Sequence, residues 1–333
     1  MNIEFHYYIT KYLALNAGFT KREAETIAYA SQLVDDNFIQ FSIEKPSGDI
    51  YQNYITQTRK ITEPVKKLMR IYLLFHYMPG DPISAKVRRR DGKMHLLMTT
   101  PGSHYAQDIF YTTTEGENVY ALGIASHMLA DTYAHQNFTG SYDEINSMKG
   151  VWQKLKPNIG HSDALYKPDI PNLIWHDPRL IDENQEVDNA KRMLFAAKKL
   201  YSNYIFITSH TNNWPKVKLA LEEILEEKIK ETELDQYEQQ KKVRINKYRE
   251  LLSEFDDKNE YNPNRWLNET LEQNIDFMHN RSSKIDSKDN NFSFKKDFEK
   301  SDWYKFQEEV KNYQKEALKK IEPIISQLEL RNW

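Results

Sequence analysis

Three side chains able to bind a metal ion, His127, Asp131 and His135, recur at four-residue intervals in the stretch GIASHMLADTYAHQNFTG, Gly123 to Gly140. In an α-helix four residues advance about 400° around the axis and about 6 Å along it, so successive members of this series stack on one face. His127 and Asp131 are then close enough to share one ion. His135, about 12 Å from His127 along the axis, is too far away to join them. The spacing therefore favours two neighbouring ions, with Asp131 offering one carboxylate oxygen to each. Ser126, Ala130 and Ala134 run beside the ligands as a stripe of small residues that lets other helices approach the same ions.

Such ions need further ligands, and the chain has no cysteine, so His, Asp and Glu must supply them. His6 in EFHYYIT, Asp35 and Asp36 at the end of YASQLVDD, His76 in YLLFHYMPG, and His161 with Asp163 in NIGHSDALYKPD are polar groups in apolar or helix-terminal settings. Burying them without partners is costly, and a shared metal removes that cost. Each also has a plainer reading: His6 and His76 as hydrogen-bonded core histidines, Asp35 and Asp36 as helix-ending turn residues. His95, His104, His176, His210 and His279 sit in no metal-binding spacing and read as surface or packing residues.

The elements that would position these groups are mostly helical. Thr20 and Glu23 in FTKREAETIAYASQLV form a capping box that opens a helix running to about Val34. A second helix fits EPVKKLMRIYLLFHYM, ended by Pro79-Gly80, and ENVYALGIASHMLADTYAHQ reads as a long buried helix. The one β signal is SAKVRRRDGKMHLLM, where two short runs flank Asp91-Gly92 as in a tight hairpin. WQKLKPNIGHSDALYKPDIPNLIW is punctuated by proline and reads as a structured loop. A helix is expected over about 186–207 and a final one over about 303–328. From Asn213 the composition shifts to Glu, Lys and Gln with apolar Val217, Leu221, Ile224 and Leu225 at helical spacing, an amphipathic helix or helical hairpin. The expected organisation is thus all-α: a helical domain over 1–212 with one small β-hairpin, and a charged helical extension over 213–333.

Thirty-nine per cent of the residues are hydrophobic, enough for a sizeable core, while 46 basic and 49 acidic residues leave a net charge of −3. No global field draws the chain to nucleic acid, though a local basic groove is compatible with that balance. MNIEFHYYITKYLALNAGF lacks a basic region followed by a continuous apolar core, and IYLLFHYM is too short to cross a bilayer, so a cytoplasmic location without a transmembrane segment is expected.

The order His, Asp, His, His-x3-Asp, His, His resembles the zinc-dependent phospholipase C superfamily, which takes in fungal single-strand nucleases and heterokaryon-incompatibility proteins, over roughly Phe5 to Trp175. The resemblance implies a multi-helix core whose cleft holds two or three zinc ions and hydrolyses phosphoric esters. It implies one ion on Asp35 or Asp36, His76, His127 and Asp131. A second would lie on His135, His161 and an acidic residue, Asp163 being the nearest. A third would share Asp131 and use His6, with Glu4 in place of the α-amine that family members supply. Asp35 and Asp131 would be the catalytic carboxylates, Asp35 doubling as ligand and general base. The sequence departs from the superfamily in the three-residue gap between Asp131 and His135, closer to the heterokaryon-incompatibility branch, and in carrying Leu165 where a Glu is usual.

The expectation is therefore a zinc-dependent phosphodiesterase of phospholipase C type, acting on a phospholipid headgroup or on nucleic acid. The alternatives are a single-strand nuclease on the same scaffold and a non-catalytic interaction protein with a structural metal site, its partner protein bound by the C-terminal helices. Lys86, Arg88, Arg89, Arg90 and Lys93 in KVRRRDGKMH fit either a phosphate-holding rim or a solvated surface hairpin.

Overall fold

The computed structural model describes residues 1–58, 65–116, 118–148, 159–255, 260–278 and 284–328. Residues 149–158, which include the first part of the proline-punctuated loop, and His279 lie outside the described residues. The chain is mostly helical, with two small three-stranded sheets beside the helices. A π-helical segment, Glu4–Ile9, runs into α1 (Thr10–Asn16). Then come α2 (Lys21–Asp36), β1 (Gln40–Glu44), β2 (Ile50–Gln52) and α3 (Val65–Ile71), which continues as a second π-helical segment, Tyr72–His76. After them lie α4 (Pro82–Val87), α5 (His104–Thr114) and α6 (Val119–Ala134). β3 (Leu173–His176) and β4 (Glu186–Asp188) lead into α7 (Asn189–Thr208), α8 (Trp214–Leu225), β5 (Ile229–Lys230) and α9 (Tyr237–Ser253). α10 (Arg265–Thr270), β6 (Lys284–Asp286), α11 (Ser287–Asn290) and α12 (Asp302–Gln327) complete the order.

Local chemistry accounts for the helix starts. Thr20 and Glu23 form the reciprocal capping box, and Asn118, Asp188 and Ser301 accept backbone N–H groups at the heads of α6, α7 and α12. α6 is buried nearly all round, apolar or small at most positions but carrying His127 and Asp131. It crosses α2 at Gly123, where an added Cβ would come within 2.5 Å of the Ile27 carbonyl oxygen and 2.6 Å of the Ala30 Cβ. The two helices thus approach closely at Gly123, beyond the end of the Ser126, Ala130, Ala134 stripe. Ser126 turns instead to the Tyr204 hydroxyl on α7 (2.7 Å).

The hairpin expected around Asp91-Gly92 is not formed. Asp81 caps and Pro82 opens α4, so the first of the two runs becomes helical up to Val87. The turn remains, with Gly92 at φ +60°, but Arg89 bridges to Leu180 rather than to the residues after the turn. Arg89 and Lys93 are spent in ion pairs with Asp91 and Glu144. β1 and β2 form an antiparallel hairpin, in register Ser42↔Gln52, with β6 added parallel to β1 (Gln40↔Lys284). In the second sheet β3 lies between antiparallel β4 (Trp175↔Val187) and parallel β5 (Leu173↔Ile229). These sheets correct the all-α expectation to a mostly helical one.

The amphipathic stretch after Asn213 forms two helices, α8 and α9, separated by β5 and a 3-10 turn, with Val217, Leu221, Ile224 and Leu225 buried. Residues on both sides of Asn213 share one core: Phe306, Val310, Tyr313 and Ile321 of α12 belong to the same buried cluster as Ile124, Met128 and Leu129 of α6. No helix among the described residues is long and apolar enough to cross a membrane. Because Gly123 sets the α2–α6 contact, Gly123→Val should destabilise the protein by about 2 kcal/mol through overpacking, a cost larger than its gain in helix propensity. A melting temperature equal to that of the parent protein would contradict the crossing.

Candidate metal centre

Five imidazoles, three carboxylates and one amine converge where α2, α6 and the two π-helical segments meet. The π-helical geometry widens the helical turn, a feature often found at functional sites, and here each such segment carries a histidine of the cluster: His6 in the first, His76 at the end of the second. α6 contributes His127 and Asp131, its C-cap is His135, and α2 brings Asp35. The loop after residue 158 adds His161 and, from a 3-10 turn, Asp169.

The outward-facing nitrogens fix the tautomers. His127 Nδ1 donates to the Ser31 carbonyl (2.8 Å) and His76 Nε2 to the Thr56 carbonyl (2.9 Å). His135 Nδ1 donates to the His76 carbonyl (2.8 Å), and His161 Nδ1 to the Leu165 carbonyl. A carbonyl can only accept, so each of these nitrogens carries a proton, and in the neutral ring the inner nitrogen presents a lone pair. Those lone pairs point at carboxylate oxygens: His76 Nδ1 and His127 Nε2 lie 3.1 and 3.2 Å from Asp131 Oδ2. His135 Nε2 lies 2.9 Å from Asp169 Oδ1, and His161 Nε2 3.1 Å from Asp169 Oδ2. Lone pair against anion is repulsive unless a cation, a proton or a metal ion, sits between. Backbone carbonyls on the far imidazole nitrogen are the usual second shell of metal-binding histidines.

Asp35, His76 and His127 form a first group, with Asp131 beside its two imidazoles. His76 Nδ1 and His127 Nε2 are 3.1 Å apart, Asp131 Oδ2 stands at the distances above, and Asp35 Oδ1 is 3.8 Å from each nitrogen. Four donors at about 2.0–2.1 Å from a zinc ion have edges of about 3.3 Å, and these five separations of 3.1–3.8 Å bracket that value. His135, His161 and Asp169 form a second group. His6, His127 and Asp131 form a third: His6 Nε2 is 3.2 Å from Asp131 Oδ1, and both ring nitrogens of this fully buried histidine lack a hydrogen bond. An orphaned buried imidazole of this kind fits a metal ligand better than a packing residue. Asp131 thus divides its oxygens between the first and third groups. Its link to His135 is weaker, at 3.6 Å, because His135 Nδ1 is engaged by the His76 carbonyl.

Three expected ligands lie elsewhere. Asp36 faces away, accepting from Gln32 (3.1 Å) and the Tyr261 hydroxyl (2.8 Å). Asp163 accepts the Met148 N–H (3.3 Å), and Asp169 occupies the acidic position of the second group instead. Glu4 forms a buried bidentate pair with Arg244 (2.7 and 2.9 Å), and it is the Met1 amine that reaches the cluster, bonded to Asp131 and 3.1 Å from Asp169. Leu165 has φ +54°, a strained conformation for its residue type, and this backbone turn presents its carbonyl to His161. Tyr77 stacks on His135 at 4.6 Å and accepts the His161 N–H through its hydroxyl (3.0 Å).

Electrostatics reflect the crowding. Burial works against the charge on Asp131 and Asp169, yet the Met1 ammonium and the surrounding imidazoles outweigh it and hold both carboxyls well below their usual range. Burial likewise opposes the Met1 ammonium, but Asp131 and Asp169 prevail and raise it to about 11. His6 is lowered to about 3 by burial, with His127 and the Met1 amine adding to the effect. Burial also lowers His135. His76 and His161 are raised despite burial, by Asp131 and by Asp169 respectively.

A family model, that of a family of unknown function (DUF6765), matches residues 1–321, and the chain belongs to that family. No curated protein and no solved structure matches it.

Elemental analysis of variants separates the two acidic candidates: Asp169→Asn should lower bound metal by about one ion per chain, and Asp163→Asn should leave it unchanged. The reverse pattern would reject the second group as assembled here. Since protons and metal compete for His76 and His161, whose proton affinities are raised, metal content should fall when the protein is dialysed at progressively lower pH.

Proposed function

We propose that this member of the family is a metal-dependent phosphoric ester hydrolase, with two or three zinc ions held by the three groups. The observation that carries the reading is the set of inner imidazole nitrogens facing carboxylate oxygens about 3 Å away, an arrangement that a proton or a metal ion between them completes. Asp35, His76, His127 and Asp131 would hold one ion, His135, His161 and Asp169 a second, and His6 with Asp131 a third. When bound, such ions lower the pKa of coordinated water towards neutrality and neutralise phosphoryl oxygens.

The chain's own groups divide the remaining work. Asp131, 1 % exposed, is a fixed anchor, whereas the Asp35 side chain is 24 % exposed, so Asp35 can both bind and take the proton of an attacking water. The Asp169 and His161 side chains are also partly open, at 21 % and 17 %, which puts the approach for substrate on their side. Leu165 and Tyr166, large and exposed, lie in the chain between these two ligands. An apolar edge there supports an ester with a hydrocarbon portion over a single-stranded nucleic acid, and the pairing of Arg89 and Lys93 removes two cations from a basic track.

The reading is tested on protein purified without chelators, assayed for metal content and for turnover of bis-p-nitrophenyl phosphate and p-nitrophenylphosphorylcholine. Two to three zinc equivalents, activity abolished by chelator and restored by zinc, and a drop of about 10²–10⁴-fold in kcat for Asp35→Asn are expected. Full metal occupancy without turnover of either ester would favour a structural metal site in an interaction protein.

A further inference from the structure

A cavity of about 530 Å³ lies between the β1–β2 hairpin, α3 with its π-helical continuation, and α12. None of the metal-centre residues lines it. Lys66, Lys67 and Arg70 of α3 line it, and Ile55, Ile71 and Phe75 give it an apolar floor. The rest of the lining is amide and phenol; among the described residues it holds no carboxylate. Lys66 and Arg70 stand in an i, i+4 relation, where like charges repel along a helix. Arg70 Nε is buried and has no acceptor, an unfavourable state for a guanidinium N–H. Two cationic side chains one helical turn apart, Lys66 and Arg70, beside apolar carbon call for an anion with a carbon body. The volume falls within the range of small-molecule sites and is larger than a bare phosphate needs.

We propose that this cavity is a second ligand site, taking a small organic phosphate whose oxyanion sits on Lys66 and Arg70 and whose carbon portion rests on Ile55, Ile71 and Phe75. The guanidinium supplies the planar, bidentate donor suited to phosphate, and Lys66 adds a mobile point charge. The site adjoins the metal centre through the chain: Ile55 precedes Thr56, whose carbonyl holds His76, and Phe75 precedes His76 itself. Binding here does not depend on the hydrolase reading, because no metal-centre residue takes part in it.

The test is isothermal titration of the full-length protein with phenyl phosphate, with and without chelator, and with benzyl alcohol as the neutral counterpart. A saturable, chelator-insensitive 1:1 event is expected, weakened about tenfold or more in Arg70→Met and in Lys66→Met, with benzyl alcohol binding far more weakly. Lys66 is exposed, so its variant keeps the test informative if Arg70→Met folds poorly. Binding that vanishes with chelator, that is unchanged in both variants, or that benzyl alcohol matches would overturn the proposal. Failure of the hydrolase reading would show separately, as absence of chelator-sensitive turnover.

Discussion

A buried carboxylate, that of Asp131, organises the molecule. It is 1 % exposed and lies within 3.2 Å of three imidazole nitrogens from three different segments, besides the Met1 amine. An isolated anion at such depth is prohibitively costly, so the fold has to deliver compensating groups to it from far along the chain. The tight crossing of α2 and α6 at Gly123 serves that end, setting the Ser31 carbonyl against His127 and bringing Asp35 to the same side. The second π-helical segment ends on His76, so that its ring faces Asp131 while its carbonyl steadies His135.

The C-terminal half has a part in the same task. α9 carries Arg244, whose guanidinium grips Glu4, and Tyr237, whose hydroxyl accepts from Asn2 (2.9 Å). Tyr248 stacks on Tyr8 at 5.9 Å. These contacts hold the first residues of the chain in the position from which Met1 and His6 reach Asp131. A buried ion pair such as Glu4–Arg244 adds little net stability over apolar packing, but losing one partner leaves a buried charge, so it serves mainly to define position. The match of the family model across both halves agrees with a C-terminal region that is built into the core.

What could be read in the sequence follows from the range of the interactions. The helices were legible because capping boxes and 3.6-residue periodicity are local; α2, α6, α7 and α12 lie within a few residues of expectation. His6, Asp35, His76, His127, Asp131, His135 and His161 were legible as candidates because a polar group in an apolar run needs a partner. Asp169 was not, because it follows Asp163 in the same loop and only the strained turn at Leu165 and the 3-10 turn after it decide which carboxylate faces inward. The strand pairing of β1 with β6 joins residues more than 240 apart, and no local pattern announces it. At Asp91-Gly92 the turn signal was sound, but the helix capped by Asp81 and Pro82 claimed the residues needed for the first strand.

The charge of the centre has to be balanced within the cluster itself. Asp35, Asp131 and Asp169 oppose one ammonium, that of Met1, and the deficit must be met within the same few ångströms. Protons can meet it: the raised proton affinities of His76 and His161 place the extra positive charge beside Asp131 and Asp169. Divalent ions can meet it as well, displacing those protons from the same inner nitrogens. His6 is the exception that distinguishes the two states. Burial, His127 and the Met1 amine hold it neutral to about pH 3, and neither of its nitrogens has a hydrogen bond. Protonation at His76 and His161 therefore balances the charge beside Asp131 and Asp169, while His6 stays neutral, its Nε2 3.2 Å from Asp131 Oδ1.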